Sequence, residues 1–367
     1  MAQDADAPRS AVGHGAPPRR ATATTAVVFV VVGIAGLTWA KWWPYTVKSA
    51  HVLASHAFGG TSSLTGGAKA APAPSWHSAW TFAVGYFQSI WIALVAALMI
   101  SAAAEALIPR RWLVRQLSRG PRWLGGSTAG GLAALPSMMC TCCTAPLTVT
   151  LRRRGVPPAS ALAYWVGNPT LNPAVVVFLA VVLPWQWVVT RIVGGLLLVF
   201  LISALAARVG RAEPVQPTWP QHDVADEPMA LAPAARRFAA ALGRLTATLL
   251  PEYAVVVLLV GAVRGWLFPT GHLLAAWGFL ALVLFAVTGA LFVIPTAGEI
   301  PIIQGLLAAG LGAGPAGALL ITLPALSLPS LIMVGRSFSR RTLATVLAGV
   351  VLVGIAAGAV LAALTGP

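Results

Sequence analysis

All three cysteines of the chain fall within four residues, Cys140, Cys142 and Cys143, in the stretch LPSMMCTCCTAPLTVTLRRRG from Leu135 to Gly155. A thiolate is a soft ligand, and a Cys-x-Cys pair on a turning backbone can present two sulfurs to one thiophilic species. A free cysteine also serves as a small apolar residue, but three so close together, between Pro136 and Pro146, point to a local task. A secreted disulfide framework would need an even number spread over loops. A closed structural zinc site would need a fourth ligand, and no histidine lies in the surrounding apolar sequence.

Glu299, in FVIPTAGEIPIIQG, is the second chemical candidate, because a carboxylate inside an apolar run is costly and generally functional. It is the expected proton-coupling group; the competing role is to cap its own half-helix. Thr144, Asn168, Asn172 and Ser327 complete the expected substrate-binding set, with Thr141 lining the same cavity. The two amides could equally cap half-helices, and hydroxyls in membrane helices also bond to local backbone. Glu105 and Glu252 are expected near helix ends, in structural contact with headgroups or arginine. His14, His51, His56, His77, His222 and His272 fall in tails, loops or a linker, and no metal site is expected of them. The chain has no P-loop, GxSxG, HExxH or dinucleotide fingerprint, so no cofactor is expected and soluble-type catalysis has no support.

The elements that must position these groups are membrane helices. Hydrophobic residues make up 58% of the chain and charged residues 9%, against about 25% charged in soluble proteins. Long apolar runs near 26–40, 80–108, 158–183, 187–207, 246–268, 274–294, 315–335 and 342–364 predict an all-α polytopic membrane protein with about 7–9 spanning helices. The net charge of +15 would suit nucleic acid in a soluble protein. Here 19 of the 24 Lys and Arg fall in five groups: the N-terminal tail, Arg110 to Arg122, Arg152 to Arg154, Arg208 to Arg244, and Arg336 to Arg341. The positive-inside rule places all five in the cytoplasm, so the expected partner is the lipid bilayer and not nucleic acid. Lys41, Lys48, Lys69, Arg191 and Arg264 are expected at outer ends or in the loop 41–79. Trp39, Trp42, Trp43, Trp76, Trp80, Trp185, Trp187 and Trp266 mark the outer headgroup level, and Trp112 and Trp123 the inner one. The basic start followed by a short apolar run reads as an uncleaved signal anchor, because WAKWW is a poor cleavage site.

The chain then divides into a cytoplasmic tail (1–25), an N-terminal transmembrane helix with an outer loop (26–79), a first repeat (80–208), a Pro- and acid-rich cytoplasmic linker (209–245) and a second repeat (246–367). The repeat shows in matched spacings. Pro146 to Gly155 and Pro301 to Gly310 are both nine residues, and fourteen more lead to Pro169 and Pro324. Only the first of these hairpins ends in arginines, so the second is expected to end on the opposite side, which makes the repeat inverted. The stretch from Gly125 to Leu151 lies between two basic flanks that belong on one side, so it must turn within the membrane. Pro136 and Pro146 are expected to bracket that re-entrant turn, as Pro295 and Pro301 bracket the second. By the proline spacing, Glu299 matches Thr144. Two broken helices follow, Ala161 to Val182 around NPTLNP and Ala316 to Gly335 around LPALSLP. Each proline frees a carbonyl of the kind membrane transporters use to hold cargo.

These motifs resemble a known family. The run PSMMCTCCTAPLTVTLRRRGVPPASALAYWVGNPTLNP is similar to the signature of the ArsP-type predicted permeases. The family's Cys-x-Cys turn, Pro-Leu, Arg-Gly and Pro-x-x-Asn-Pro elements fall on Cys140 and Cys142, Pro146-Leu147, Arg154-Gly155 and Pro169 to Pro173. The resemblance covers roughly Ser89 to Leu364. It implies a multi-pass inner-membrane permease, some members of which export trivalent organoarsenicals. Cys143 is a departure, since a small residue is usual there; a third thiol would tighten soft-ligand binding or mark a different solute.

The sequence-level expectation is therefore a secondary permease for a small thiophilic solute, a trivalent organoarsenical or similar soft species, with its N-terminus in the cytoplasm. It would work by alternating access at a midplane Cys/Glu site, and a homo-oligomer is compatible with it. Two other classes are kept. Cys140 and Cys143 satisfy the Cys-x-x-Cys spacing of a thiol-disulfide oxidoreductase, and the chain could be a structural subunit of a transport complex.

Overall fold

A computed structural model describes residues 19–58, 74–108, 110–210, 231–267 and 278–365, and every regular element among them is a helix. The expected tail before residue 19, the loop 59–73 with Lys69, the linker 211–230, and His14, His222 and His272 lie outside the described residues. The N-terminal segment is α1 (Arg19–Leu37), a π-helical turn (Thr38–Trp42) and α2 (Trp43–Ser55), running on without a break. The helix thus continues well beyond residue 41, where the outer loop was expected to begin. Next come α3 (Trp76–Leu107), started by the Ser75 side chain accepting from Ser78 N, and α4 (Arg110–Leu117).

The cysteine region consists of α5 (Ser127–Ala134), a 3-10 turn (Leu135–Ser137) and α6 (Thr141–Arg153). It is followed by α7 (Pro158–Thr170), α8 (Pro173–Val182), α9 (Trp185–Leu196), a π-helical turn (Leu197–Ile202) and α10 (Ser203–Val209). The remainder is α11 (Leu231–Leu267), α12 (Gly278–Leu291), α13 (Glu299–Ala308), α14 (Ala313–Ala325), α15 (Leu328–Gly335) and α16 (Arg340–Thr365). Six segments among the described residues are long and apolar enough to cross a bilayer: α3, α7 with α8, α9 with α10, α11, α14 with α15, and α16. The shorter apolar helices α12 and α13 flank a break. The protein is a multi-pass membrane protein.

Both expected helix breaks are present. The first falls at Leu171 and Asn172 and the second at Leu326 and Ser327, each directly after a proline-bearing turn and before a second proline. The hairpin turns differ from the expected bracketing. The first spans Met138 to Cys140, and Pro146 lies inside α6. The second spans Phe292 to Gly298, with Pro301 in the first turn of α13. Helix α6 therefore starts five residues before its proline and α13 only two before its own. The residues at equivalent helix starts are Thr141 and Glu299, not Thr144 and Glu299. Cys142 and Cys143 occupy the extra turn that α6 has and α13 lacks.

One end of the molecule gathers the arginines. Arg110 Nε donates to Arg154 O, Arg154 donates to the carbonyls of Ala104, Glu105 and Ile108, and Arg208 donates to Trp123 O. Arg244 pairs with Glu105 and Arg336 with Glu252, so both carboxylates meet arginine. Helix α7 starts at this end and α8 leaves it, whereas α15 ends at it, beside Arg336, and α14 starts at the other. Small residues let these segments approach closely. A Cβ on Gly130 of α5 would lie 1.9 Å from Ser160 O of α7, and one on Gly358 of α16 would lie 2.3 Å from Gly314 O of α14.

Several expected surface markers are interior. Arg191 and Lys41 were expected at outer ends, yet Arg191 is fully buried and Lys41 is 5% exposed. Each is drawn inward by polar partners at the hairpin turns, described below. Arg264 is also buried, against the Phe82 ring. Trp187 packs into the core, and Trp42 Nε1 donates to Pro136 O at 2.8 Å, while Trp39, Trp43, Trp76, Trp80, Trp185 and Trp266 are exposed.

Candidate functional site

The two hairpin turns meet. A small cavity is lined by Cys140 and Thr141 from the first turn, Ile294 to Ala297 and Glu299 from the second, and Pro169 and Pro324 from the two broken helices. Irregular backbone at this depth survives only where protein or a hydrated cavity covers it. Each turn also holds a left-handed residue other than glycine, Met138 at φ 49° and Ala297 at φ 66°. Such conformations are uncommon and concentrate at functional sites.

Of the expected site residues, Cys140 and Glu299 line the cavity directly. Cys140 is the residue preceding α6, and its Sγ donates to Cys143 Sγ at 3.2 Å, both thiols being free. Cys142 points another way. Its Sγ is 3.1 Å from Ser327 Oγ, which is also 3.3 Å from Thr141 Oγ1 and donates to Ser330 Oγ. Ser327 occupies the capping position of α15 but makes no side-chain cap bond; its hydroxyl serves the cysteine turn instead. The thiol of Cys142 is also 3.7 Å from Tyr86 Oη, which receives a 2.8 Å hydrogen bond from Tyr253 Oη.

Three expected binding residues are engaged with backbone. The Thr144 hydroxyl donates to Cys140 O and Thr141 O within its own helix. Asn168 Oδ1 accepts from Met139 N at 3.3 Å and its Nδ2 donates to Tyr164 O, so it fixes the hairpin tip from α7. Asn172 caps α8 by accepting from Ala174 N and Val175 N, although its Nδ2 is buried without a partner. None of the three lines the cavity.

Glu299 forms a fully buried ion pair, with Arg191 Nη2 3.0 Å from Oε1. The same guanidinium donates to Pro169 O and Thr170 O at the first break, each at 2.8 Å, and to Leu320 O of α14. A buried carboxylate facing a fixed guanidinium offsets much of the desolvation that either charge alone would suffer. The second carboxylate oxygen, Oε2, is buried and has no hydrogen-bond partner. Arg191 was missed as a site residue, although a single arginine deep in an apolar run, with one lone carboxylate elsewhere, is a signal for such a pair. Lys41 was missed as well: its Nζ donates to Thr296 Oγ1 on the cavity wall at 3.2 Å.

Comparison with known proteins agrees with this architecture. A family model described as "ArsP_1: Predicted permease" matches residues 75–363. The chain is 42% identical over 316 residues to the protein described as UPF0718 protein YraQ of Escherichia coli (strain K12), covering 86% of this chain and 88% of that one. No solved structure matches.

Proposed function

The chain belongs to the ArsP_1 predicted permease family, and from that premise we propose that it moves a small thiophilic solute, a trivalent organoarsenical or a similarly soft species, across the cytoplasmic membrane. Membership makes it a membrane transporter; the solute, the direction of efflux and the site are our reading. The observation that carries it is the shared cavity, in which the free thiol of Cys140 and the carboxylate of Glu299 come from two different hairpin turns.

In this reading the solute binds Cys140, with Cys143 beside it as a second soft donor, while Cys142 is held away from the cavity by Ser327 and joins as a third donor only if that contact opens. Proton exchange at Glu299 loosens its hold on Arg191 and drives alternating access. The opposed courses of α7–α8 and α14–α15 support an inverted repeat, the architecture that suits rocking about a central site. The clustering of arginines supports placing that end, and the N-terminus, in the cytoplasm.

A thiol-disulfide oxidoreductase keeps one specific support, the 3.2 Å approach of the Cys140 and Cys143 sulfurs. The burial of all three thiols opposes it, because exchange needs a partner thiolate to reach a sulfur. Uptake into everted vesicles, assayed with trivalent methylarsenical and antimonite, tests the permease reading. Cys140→Ser is expected to reduce uptake at least tenfold, and the solute should protect the wild-type thiols from alkylation. Full uptake in Cys140→Ser/Cys142→Ser would overturn it. Disulfide cycling with a soluble thiol partner, without uptake, would favour the redox enzyme.

A further inference from the structure

Lys41 is a buried cation without an acid. Of the nine Asp and Glu in the sequence, three lie in the described residues, and each is taken by an arginine: Glu105 by Arg244, Glu252 by Arg336 and Glu299 by Arg191. Among the described residues no carboxylate pairs with Lys41. Its ammonium donates to the Thr296 hydroxyl at 3.2 Å, lies 5.4 Å from the centroid of the Tyr45 ring and beside that residue's hydroxyl, and faces the Cys140 and Cys143 sulfurs. Hydroxyls, a ring face and two sulfurs satisfy a buried ammonium only in part, and an acid anion completes it.

The π-helical turn Thr38–Trp42 carries this group. Trp42, next to Lys41, is anchored on Pro136 O of the first hairpin, while Lys41 reaches Thr296 of the second. The N-terminal helix precedes the segment matched by the family model, yet it touches the 3-10 turn that leads into the first hairpin tip and Thr296 on the cavity wall.

Two further features favour negative charge in the same place. Helices α6 and α13 both begin at the cavity, and the residues before them, Cys140 and Gly298, make no side-chain cap bond. Their first N–H groups and positive dipole ends converge there. The one carboxylate present, Glu299, has its charge matched by Arg191, which leaves Lys41 without a carboxylate partner. Glu299 Oε2 is nevertheless a buried acceptor that lacks a donor.

We propose that the cavity takes its solute as an acid anion, a small species with one ionised atom for Lys41 and the two helix starts and one remaining O–H for Glu299 Oε2. This rests on the reading of the cavity as the solute site, and it makes Lys41 a binding residue supplied by the N-terminal helix.

The test uses three probes of similar shape on the purified full chain in detergent, at matched concentration and ionic strength and mildly acidic pH. Methylphosphonate is singly ionised there and keeps one O–H; methanesulfonate has the charge without the O–H; dimethyl sulfone has neither. Thermal unfolding should show stabilisation in that order, with none from the sulfone. Lys41→Met should weaken both anions roughly tenfold to a hundredfold, the range for hydrogen bonds to a charged group, and Lys41→Arg should retain the preference. Thr296→Val, which removes only the hydroxyl that aims Lys41, should give a smaller loss in the same direction and serves if Lys41→Met does not fold. Three probes that behave alike on the wild-type protein overturn the proposal, as does an anion preference that survives both Lys41→Met and Thr296→Val. Cys140-dependent vesicle uptake alongside either result would leave the permease standing with a neutral solute; its loss as well would mark failure of the site reading itself.

Discussion

The two hairpin turns occupy equivalent places and do opposite chemistry. The first carries thiols and no carboxylate: its sulfurs contact one another, Ser327 and Tyr86. The second carries Glu299, and its charge is balanced by a residue from a distant part of the sequence, Arg191. The first turn is soft and adaptable, the second fixed by an ion pair. In the reading proposed above, the first turn serves recognition, suited to polarizable sulfur, and the second serves coupling, suited to a group that gains and loses charge.

The ion-pair side should be the more fragile, and this is the largest effect expected. Arg191→Met leaves Glu299 buried without its partner, and breaking such a pair costs about 3–5 kcal/mol. Little folded protein should survive extraction, as read by size exclusion and thermal unfolding. Adding Glu299→Met to the same chain should restore most of the folded yield without restoring uptake. A stable Arg191→Met single variant would break the contrast, because the second turn would then not depend on its charge balance.

The comparison extends to the helix breaks. Asn172 caps its own half-helix, whereas Ser327, in the corresponding position, leaves α15 without a side-chain cap and reaches across to Cys142. Ser327→Ala should cost about 1–3 kcal/mol, because the buried Thr141, Cys142 and Ser330 groups lose a partner, and should slow uptake several-fold. Asn172→Ala should cost about 0.5–2 kcal/mol of stability, as loss of a cap does, with uptake per folded molecule unchanged. If the two variants reversed these roles, the first break would be the functional one. The smallest effect is expected at Tyr253. Replacement by Phe removes one hydroxyl contact, worth about 0.5–1.5 kcal/mol, and should change the alkylation rate of Cys142 while leaving that of Cys140 unchanged.

Much of this could be read from the sequence, for physical reasons that also explain what was missed. NPTLNP and LPALSLP announced the broken helices because proline removes a donor wherever it stands. Glu299 stood out because a carboxylate in an apolar run has no cheap explanation. Matched prolines did not give the register of the hairpins, since proline is tolerated both early in a helix and within it, and α6 begins one turn sooner than α13 relative to its proline. Arg191 and Lys41 were assigned to the surface because charge and the nearby tryptophans usually mark a membrane boundary. Their true positions depend on contacts with residues 108 and 255 positions away, which no local pattern encodes.

The four bonds of Arg191 also limit how the molecule can move. They hold Pro169 O and Thr170 O at the first break, Leu320 O on the helix leading to the second, and Glu299 on the second hairpin. Two independently flexing breaks would give four combinations of posture. While the guanidinium keeps its bonds, neither break can shift without carrying the other, and the mixed postures, those open to both sides or to neither, are suppressed. Under the proposed alternating access, one side chain would thus act as an interlock, the property that keeps a membrane permease from becoming a leak.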